Sequence, residues 1–212
     1  MDQTAWDERY AGPELVWGAG PNCFVAQELA TLPPGRAIDL GTGEGRNAIW
    51  LAERGFTVTA VDFSQVGLAR AAGLAAGRGV SVDWVHADLL DYRPTAGGYD
   101  LVLVAYIQLP GDRLTALART AASALAPGGT VLAVGHDRDN LTRGHGGPKD
   151  PSVLWTAATV TAGLGGLTVQ QAGPVARTVA SPDGERTAID TLVRAVRPGS
   201  PGVTGGLTRP PG

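Results

Sequence analysis

The sequence predicts an α/β protein built on a doubly wound, seven-stranded sheet in three layers, mainly parallel with an antiparallel last strand. Three observations carry that expectation. From residue 36 onward, apolar runs of strand length alternate with segments of helical period, the mark of βαβ units. Tyr99 to Ala105 is a near-continuous apolar run, as in a strand covered on both faces. Ser181-Pro182-Asp183-Gly184 is a turn short enough to make the last two strands a hairpin. At 212 residues, 43% apolar and 17% charged, the chain is sized and composed for one core. A chain of this length buries roughly 70% of its unfolded surface and needs no disulfide or metal staple.

In order, a first helix is expected over Thr4 to Tyr10 and a second from Pro21 to about Leu32, closed by Pro33-Pro34-Gly35. Strand 1 is Arg36 to Leu40. Gly41 to Gly45 then opens a helix through Arg54, which Gly55 stops where a left-handed residue is wanted. Thr57 to Val61 is strand 2, Ser64 to Ala76 a helix, Val80 to Val85 strand 3 and Tyr99 to Ala105 strand 4. A helix over Asp112 to Leu125 leads to Ala126-Pro127-Gly128-Gly129, a turn with φ fixed at the proline and free at the glycines, and then to strand 5, Thr130 to Gly135. His136 to Pro151 is polar and glycine-rich, of a length at which a structureless loop is functional or mobile. A short helix near Thr156 to Leu164 precedes strand 6, Leu167 to Ala172, and the last strand is Ala188 to Val196. The organisation expected is a helical lid over 1–35, the sheet domain over 36–197 and a disordered Pro/Gly/Thr-rich tail over 198–212.

Composition excludes several classes. The net charge is −3 and the 17 basic residues are dispersed, so no phosphate-tracking stripe forms and nucleic acid is not an expected partner. No window of 18 apolar residues occurs, and the start MDQTAWDERY is charged where a signal peptide is apolar. A soluble, cytoplasmic chain without a membrane partner is the expectation. Cys23, the single cysteine, reads as a small buried apolar group. Sixteen arginines stand against one lysine, Lys149, a bias taken as coding preference.

The strongest chemical signal is the run Ala37 to Gly45, a strand ending in an acid followed by three glycines at alternate positions at a helix start. Glycine lets a ligand approach the backbone, and a helix N-terminus offers free N–H groups. The dinucleotide fingerprint G-x-G-x-x-G needs its third glycine where Arg46 stands. Asp39 and Glu44 flank the loop, where two carboxylates would repel a pyrophosphate and favour a ligand bearing an ammonium and a sulfonium. The plain alternative is a tight βα turn. Strand 2 ends in Asp62, placed to accept from ribose hydroxyls, and strand 3 in Asp88, placed to accept from an adenine amino group beside Leu89. A lone strand-end aspartate is common, but three consecutive parallel strands each ending in an acid at one edge is a far rarer pattern. His136-Asp137-Arg138-Asp139 with His145 holds metal-ligand types without ligand spacing, so no metal is expected. Gly146 to Pro151 is a substrate gate or a plain surface connection.

Asp39 to Gly45, Val61-Asp62-Phe63-Ser64, Ala87-Asp88 and Leu125-Ala126-Pro127-Gly128-Gly129 resemble the ordered motifs of the class I S-adenosylmethionine-dependent methyltransferases, over roughly Arg36 to Val196. Trp6-Asp7-Glu8-Arg9-Tyr10, Trp17 and Arg46-Asn47-Ala48 resemble the tellurite-resistance and thiopurine methyltransferase-like branch, which acts on small molecules. The resemblance implies a Rossmann-like sheet, S-adenosylmethionine as cofactor with S-adenosylhomocysteine as product, and a small-molecule acceptor. It implies a cofactor-binding set of Asp39, Gly41, Gly43, Gly45, Asp62, Phe63, Asp88 and Leu89. In that set the glycines lie against the methionine moiety, Asp62 binds ribose, and Asp88 and Leu89 border adenine.

Methyl transfer from a sulfonium is an in-line displacement that needs positioning and water exclusion, and a base only where the acceptor starts protonated. His136, at the tip of strand 5, is the candidate base, or else a structural histidine under the loop. Tyr106, after strand 4, orients the methyl group or walls the pocket. Tyr10, Trp17 and Gln108 are the expected substrate contacts. Trp6 and Trp17 offer aromatic faces to a sulfonium or a flat substrate, though helix-start packing explains Trp6 equally. The strand-4 tip lacks the Asp/Asn-Pro-Pro-aromatic motif of amino-methylating DNA enzymes. Two other classes stay open: an NAD-dependent oxidoreductase, in which Asp62 would hold ribose equally well, and a non-catalytic S-adenosylmethionine-binding module.

Overall fold

The structure is a computed structural model, described over residues 2–199. Seven strands make one sheet in the order β3-β2-β1-β4-β5-β7-β6. They are β1 Arg36–Leu40, β2 Thr57–Asp62, β3 Asp83–His86, β4 Tyr99–Ala105, β5 Leu125–His136, β6 Thr168–Ser181 and β7 Gly184–Val196. The first five run parallel, and β7 pairs antiparallel with both β5 and β6, as the hairpin turn predicts. The helices are α1 Gln3–Tyr10, α2 Cys23–Glu28, α3 Arg46–Glu53, α4 Gln65–Gly77, α5 Gly111–Ala124, α6 Asn140–Arg143 and α7 Ala157–Thr161. Among the described residues no helix is long and apolar enough to cross a membrane.

Successive strand residues point to opposite faces, so the sheet buries two apolar layers. Ile38, Val102, Val104 and Val131 pack with α5 and α7 on one side, and Ala37, Leu101, Leu103 and Leu132 with α2 and α3 on the other. Helix starts follow their capping residues. Asp2 accepts from Ala5 N at α1, Asn22 from Phe24 N and Val25 N at α2, and Ser64 from Gly67 N at α4. Gly55, at φ 88°, closes the chain after α3 in the left-handed region.

Several elements depart from their predicted bounds: β3 starts at Asp83 instead of Val80, α7 ends at Thr161 instead of Leu164 and β7 starts at Gly184 instead of Ala188, and four further departures have identifiable reasons. The second helix stops at Glu28 because Arg54 Nη2 takes the carbonyls of Leu29 and Ala30, holding the chain in turns up to the prolines. β5 begins at Leu125, not Thr130. Gly128 at φ 81° and a register shift opposite Tyr99 let Ala126–Gly129 run as bulged strand, tied by Gly128 N to Arg197 O and Arg197 N to Gly129 O, both 2.9 Å. β6 runs on past the predicted end at Ala172 to Ser181, through Gly173-Pro174; β6 is the sheet edge, where a proline is tolerated. The expected structureless loop after strand 5 is ordered. It holds α6 and a 3-10 turn at Pro151–Val153, and Asn140 anchors it, accepting from Ile189 N (2.8 Å) and donating to Gly146 O (2.9 Å). Cys23 is exposed rather than buried, because α2 turns Phe24 and Val25 inward instead. Most of the predicted tail, residues 200–212, lies outside the described residues.

Candidate active site

At the carboxyl ends of the parallel strands lies a cavity of about 400 Å³, within the range of small-molecule sites. Its lining follows the sheet order. Asp88 and Leu89 come from beyond β3, Phe63 and Asp62 from the β2 tip, Gly41 to Gly43 from beyond β1, Tyr106 to Leu109 from beyond β4, His136 from β5 and Arg177 from β6. The N-terminal segment closes the opposite wall with Trp6, Tyr10, Val16, Trp17 and Asn22.

The glycine loop divides into two functions. Gly41, Gly43 and Gly45 all have left-handed φ, at 81°, 55° and 77°. A Cβ on Gly41 would run into Ile107 and one on Gly43 would sit 2.6 Å from Tyr10 Oη, so these two keep the cavity floor thin. Gly45 does not line the cavity. Its missing Cβ faces Ala71 (2.7 Å) and Trp84 (2.8 Å), letting α3 seat against α4 and β3.

Of the acids expected at this edge, only Asp62 and Asp88 face the cavity. Asp39 is fully buried beneath the loop. Its Oδ2 accepts from Thr42 Oγ1 at 2.7 Å while Oδ1 has no partner, and burial, only partly offset by that bond, pushes its carboxyl up to about 7. Glu44 is also buried and turns toward the lid, accepting from Val16 N at 2.9 Å and pairing with Arg70 at 3.3 Å. The carboxylate pair expected around the loop therefore does not present itself to a ligand. Asp62 accepts from Gly43 N (2.7 Å) and Ser64 N (2.8 Å), one bond per oxygen, which leaves lone pairs for a ligand's hydroxyls. Burial raises its pKa, with those backbone bonds opposing. Asp88 is exposed and accepts from Leu90 N at 2.9 Å.

The far end of the cavity is organised around a residue the sequence did not point to. Asp190, on β7, is completely buried, and the sheet register sets it directly beside His136 and Val175. Its Oδ2 accepts from Tyr106 Oη at 2.8 Å and from Arg177 Nε at 2.5 Å, and its Oδ1 lies 3.3 Å from His136 Nδ1 without hydrogen-bond alignment. Burial alone would raise the Asp190 carboxyl, but His136, Arg177 and Tyr106 together hold it below the ordinary value. With Nδ1 buried toward Asp190, Nε2 is the His136 nitrogen left for the cavity. Tyr106 packs edge-on to the His136 ring at 4.8 Å and is the one non-glycine residue with positive φ (56°) among those described, the kind of backbone strain found at functional sites. Burial, reinforced by Asp190, pushes its phenol up, so it is a neutral donor. Asn22, whose Oδ1 caps α2, donates its amide to Tyr106 Oη at 3.2 Å and so links the lid to this cluster.

Gln108, Tyr10 and Trp17 line the cavity, Tyr10 buried and Trp17 37% exposed. Asn22, Arg46, Arg177 and Asp190 are site residues that sequence reasoning missed. Arg46 stood out as a missing glycine and as part of the Arg46-Asn47-Ala48 resemblance, without a site role, and the other three carry no local signal. Among the described residues no three His, Cys, Asp or Glu side chains are placed to hold a metal.

Residues 37–129 match the family described as methyltransferase domain. A ubiquinone biosynthesis O-methyltransferase of Caulobacter sp. is 36% identical over 110 residues, covering 46% of this chain and 39% of the relative. The chain spans about two fifths of the length of the curated relatives it matches. Among solved structures, one determined for the conversion of a disulfide bond into a thioacetal group during echinomycin biosynthesis superposes with a TM-score of 0.73 at 24% identity, over 94% of this chain and 93% of that one. The N-methyltransferase NodS of Bradyrhizobium japonicum, solved with S-adenosylhomocysteine, gives 0.70 at 19% identity, over 92% and 98%.

Proposed function

We propose that this protein, whose residues 37–129 match the methyltransferase domain family, moves a methyl group from S-adenosylmethionine to a small-molecule acceptor. The observation that carries this is the ordered lining of a single cavity: ribose and adenine acceptors at β2 and β3, a glycine floor at β1, and a histidine–tyrosine–aspartate cluster beyond β4 and β5. The family match and the S-adenosylhomocysteine bound by NodS support the choice of cofactor. The cavity volume and its closure by the N-terminal segment favour a small acceptor over a nucleic acid or a membrane.

The residues present fit that cofactor. The free lone pairs of Asp62 accept from the ribose hydroxyls, Asp88 accepts from the adenine amino group, and Phe63 and Leu89 flank the base. Gly41 and Gly43 let the methionine moiety lie against the backbone, and Arg46, directly after the loop, receives its carboxylate. When bound, S-adenosylmethionine supplies an electrophilic methyl on a sulfonium, open to in-line displacement. The chain's own part is to hold the acceptor in line and exclude water. Where the acceptor starts protonated, His136 Nε2 takes the proton, and Asp190 behind Nδ1 balances the imidazolium. Tyr106 remains protonated and positions the cluster.

Calorimetry with S-adenosylhomocysteine and with NAD tests the cofactor. The first should bind and the second should not; binding of NAD alone would overturn the proposal in favour of an oxidoreductase. Release of S-adenosylhomocysteine across thiols, phenols, carboxylates and oxyanions then tests turnover. If the cofactor binds and no acceptor reacts, the protein is a binding module instead.

A further inference from the structure

Resting on the methyltransferase proposal, we infer that the acceptor is anionic, a carboxylate-bearing small molecule whose charged group is received by Arg177 at the His136 end of the cavity. Arg177 reaches the cavity from β6, and its guanidinium is held from two sides. Nε is bonded to the buried Asp190, and the guanidinium carbon lies 5.7 Å from the Tyr106 ring centroid. The side chain is 24% exposed, and among the described residues its hydrogen bonding runs through Nε, leaving Nη1 and Nη2 without a protein acceptor. A guanidinium whose orientation is already fixed, with two parallel donors left over, is preorganised for a carboxylate and loses little freedom on binding one.

The cofactor's own carboxylate has a nearer claimant. Arg46 follows Gly45 immediately, at the mouth of β1, and donates to Trp17 O at 3.0 Å, whereas Arg177 enters from β6 and is tied to Asp190; the two guanidiniums are near enough to feel one another's charge. The charged lining is uneven, with Asp62 and Asp88 from the β2–β3 end and Arg177 from the β6 end. Charge balance during turnover points the same way. Once His136 has accepted a proton, it, Arg177 and the nearby Arg46 outnumber the negative charge of Asp190, and an acceptor carboxylate offsets part of that excess. Because His136 and Arg177 both lean on Asp190, a carboxylate seated on Arg177 places the rest of the acceptor beside His136 Nε2.

The test uses the full chain saturated with S-adenosylhomocysteine and matched neutral and anionic probes: 4-hydroxybenzoate against 4-hydroxybenzamide, and 3-mercaptobenzoate against 3-mercaptobenzamide. Calorimetry should show each carboxylate binding at least tenfold more tightly than its amide. Arg177→Gln should bring the members of each pair within twofold while leaving S-adenosylhomocysteine affinity unchanged, and Arg177→Lys, which keeps the charge but loses the fork, should cut the preference at least threefold. If Arg177→Gln does not fold, the Lys variant decides alone. Equal affinities within each pair in the wild type would overturn the inference, as would an Arg177→Gln variant that loses S-adenosylhomocysteine as strongly as it loses the carboxylate. Failure of the wild type to bind S-adenosylhomocysteine would sink the methyltransferase proposal instead, and the same comparison on the cofactor-free chain would still decide whether Arg177 is a carboxylate site.

Discussion

Asp62 accepts two backbone N–H groups and still has lone pairs facing the cavity, so its removal acts on both loop and ligand. Asp62→Ala should weaken S-adenosylhomocysteine binding by about 1 to 3 kcal/mol, the range for lost charged hydrogen bonds; unchanged affinity by calorimetry would remove it from the cofactor site. His136→Ala should lower kcat by about 100-fold or more with protonated acceptors while leaving S-adenosylhomocysteine affinity within twofold. Full activity would make His136 a structural residue under the 136–151 segment, where a Cβ on Gly147 would already sit 3.0 Å from its Nδ1. Asp62 was legible because it ends a strand beside a turn. Asp190 was not, since it sits within β7, between Ile189 and Thr191, and becomes a site residue only through its register with His136.

At the scale of elements, the lid is held by arginines. Arg70 donates to the carbonyls of Tyr10 (2.5 Å) and Gly12 (2.8 Å), Arg78 to Ala19 O (2.6 Å) and Arg46 to Trp17 O (3.0 Å), while Glu44 takes Val16 N. Arg70 Nη1 caps both carbonyls and sits 3.3 Å from Glu44 Oε1, so one charged end group joins the lid to the buried carboxylate. The arginine excess therefore has a structural use that composition alone did not reveal. Arg70→Met should raise amide hydrogen exchange across residues 3–16 and weaken cofactor binding several-fold; an exchange pattern identical to the wild type would show that the lid is held elsewhere. Gly45→Ala should destabilise the fold by about 1 to 3 kcal/mol through its left-handed φ and its contacts with Ala71 and Trp84. A stable variant in denaturant unfolding would refute that packing role.

For the whole molecule, Asp39 makes stability depend on pH in an unusual direction. Its carboxyl goes from the ordinary 3.8 in the unfolded chain to about 7 when folded, so folding takes up a proton between those values. Its contribution is most favourable below pH 4, declines by up to about 4 kcal/mol as pH rises to 7, and is flat above. Asp39→Asn should flatten that slope, and urea unfolding at pH 4.5 and 7.5 will show equal slopes for both chains if Asp39 is not responsible.

Local patterning was sufficient for the layered sheet, the antiparallel hairpin, the glycine loop and the aspartates at the end of β2 and just beyond β3. Each of these rests on residues within a few positions of one another, where strand period, turn glycines and helix caps act directly. Which way a side chain turns is a different matter. Asp39 and Glu44 flank the loop in sequence, yet packing sends one beneath the sheet edge and the other into the lid. The cluster of Asn22, Tyr106, His136, Arg177 and Asp190 joins the lid, β4, β5, β6 and β7, and neighbours along the chain say nothing about it. It exists because strand register and helix docking, summed over the folded chain, bring distant polar groups together where burial compels them to pair.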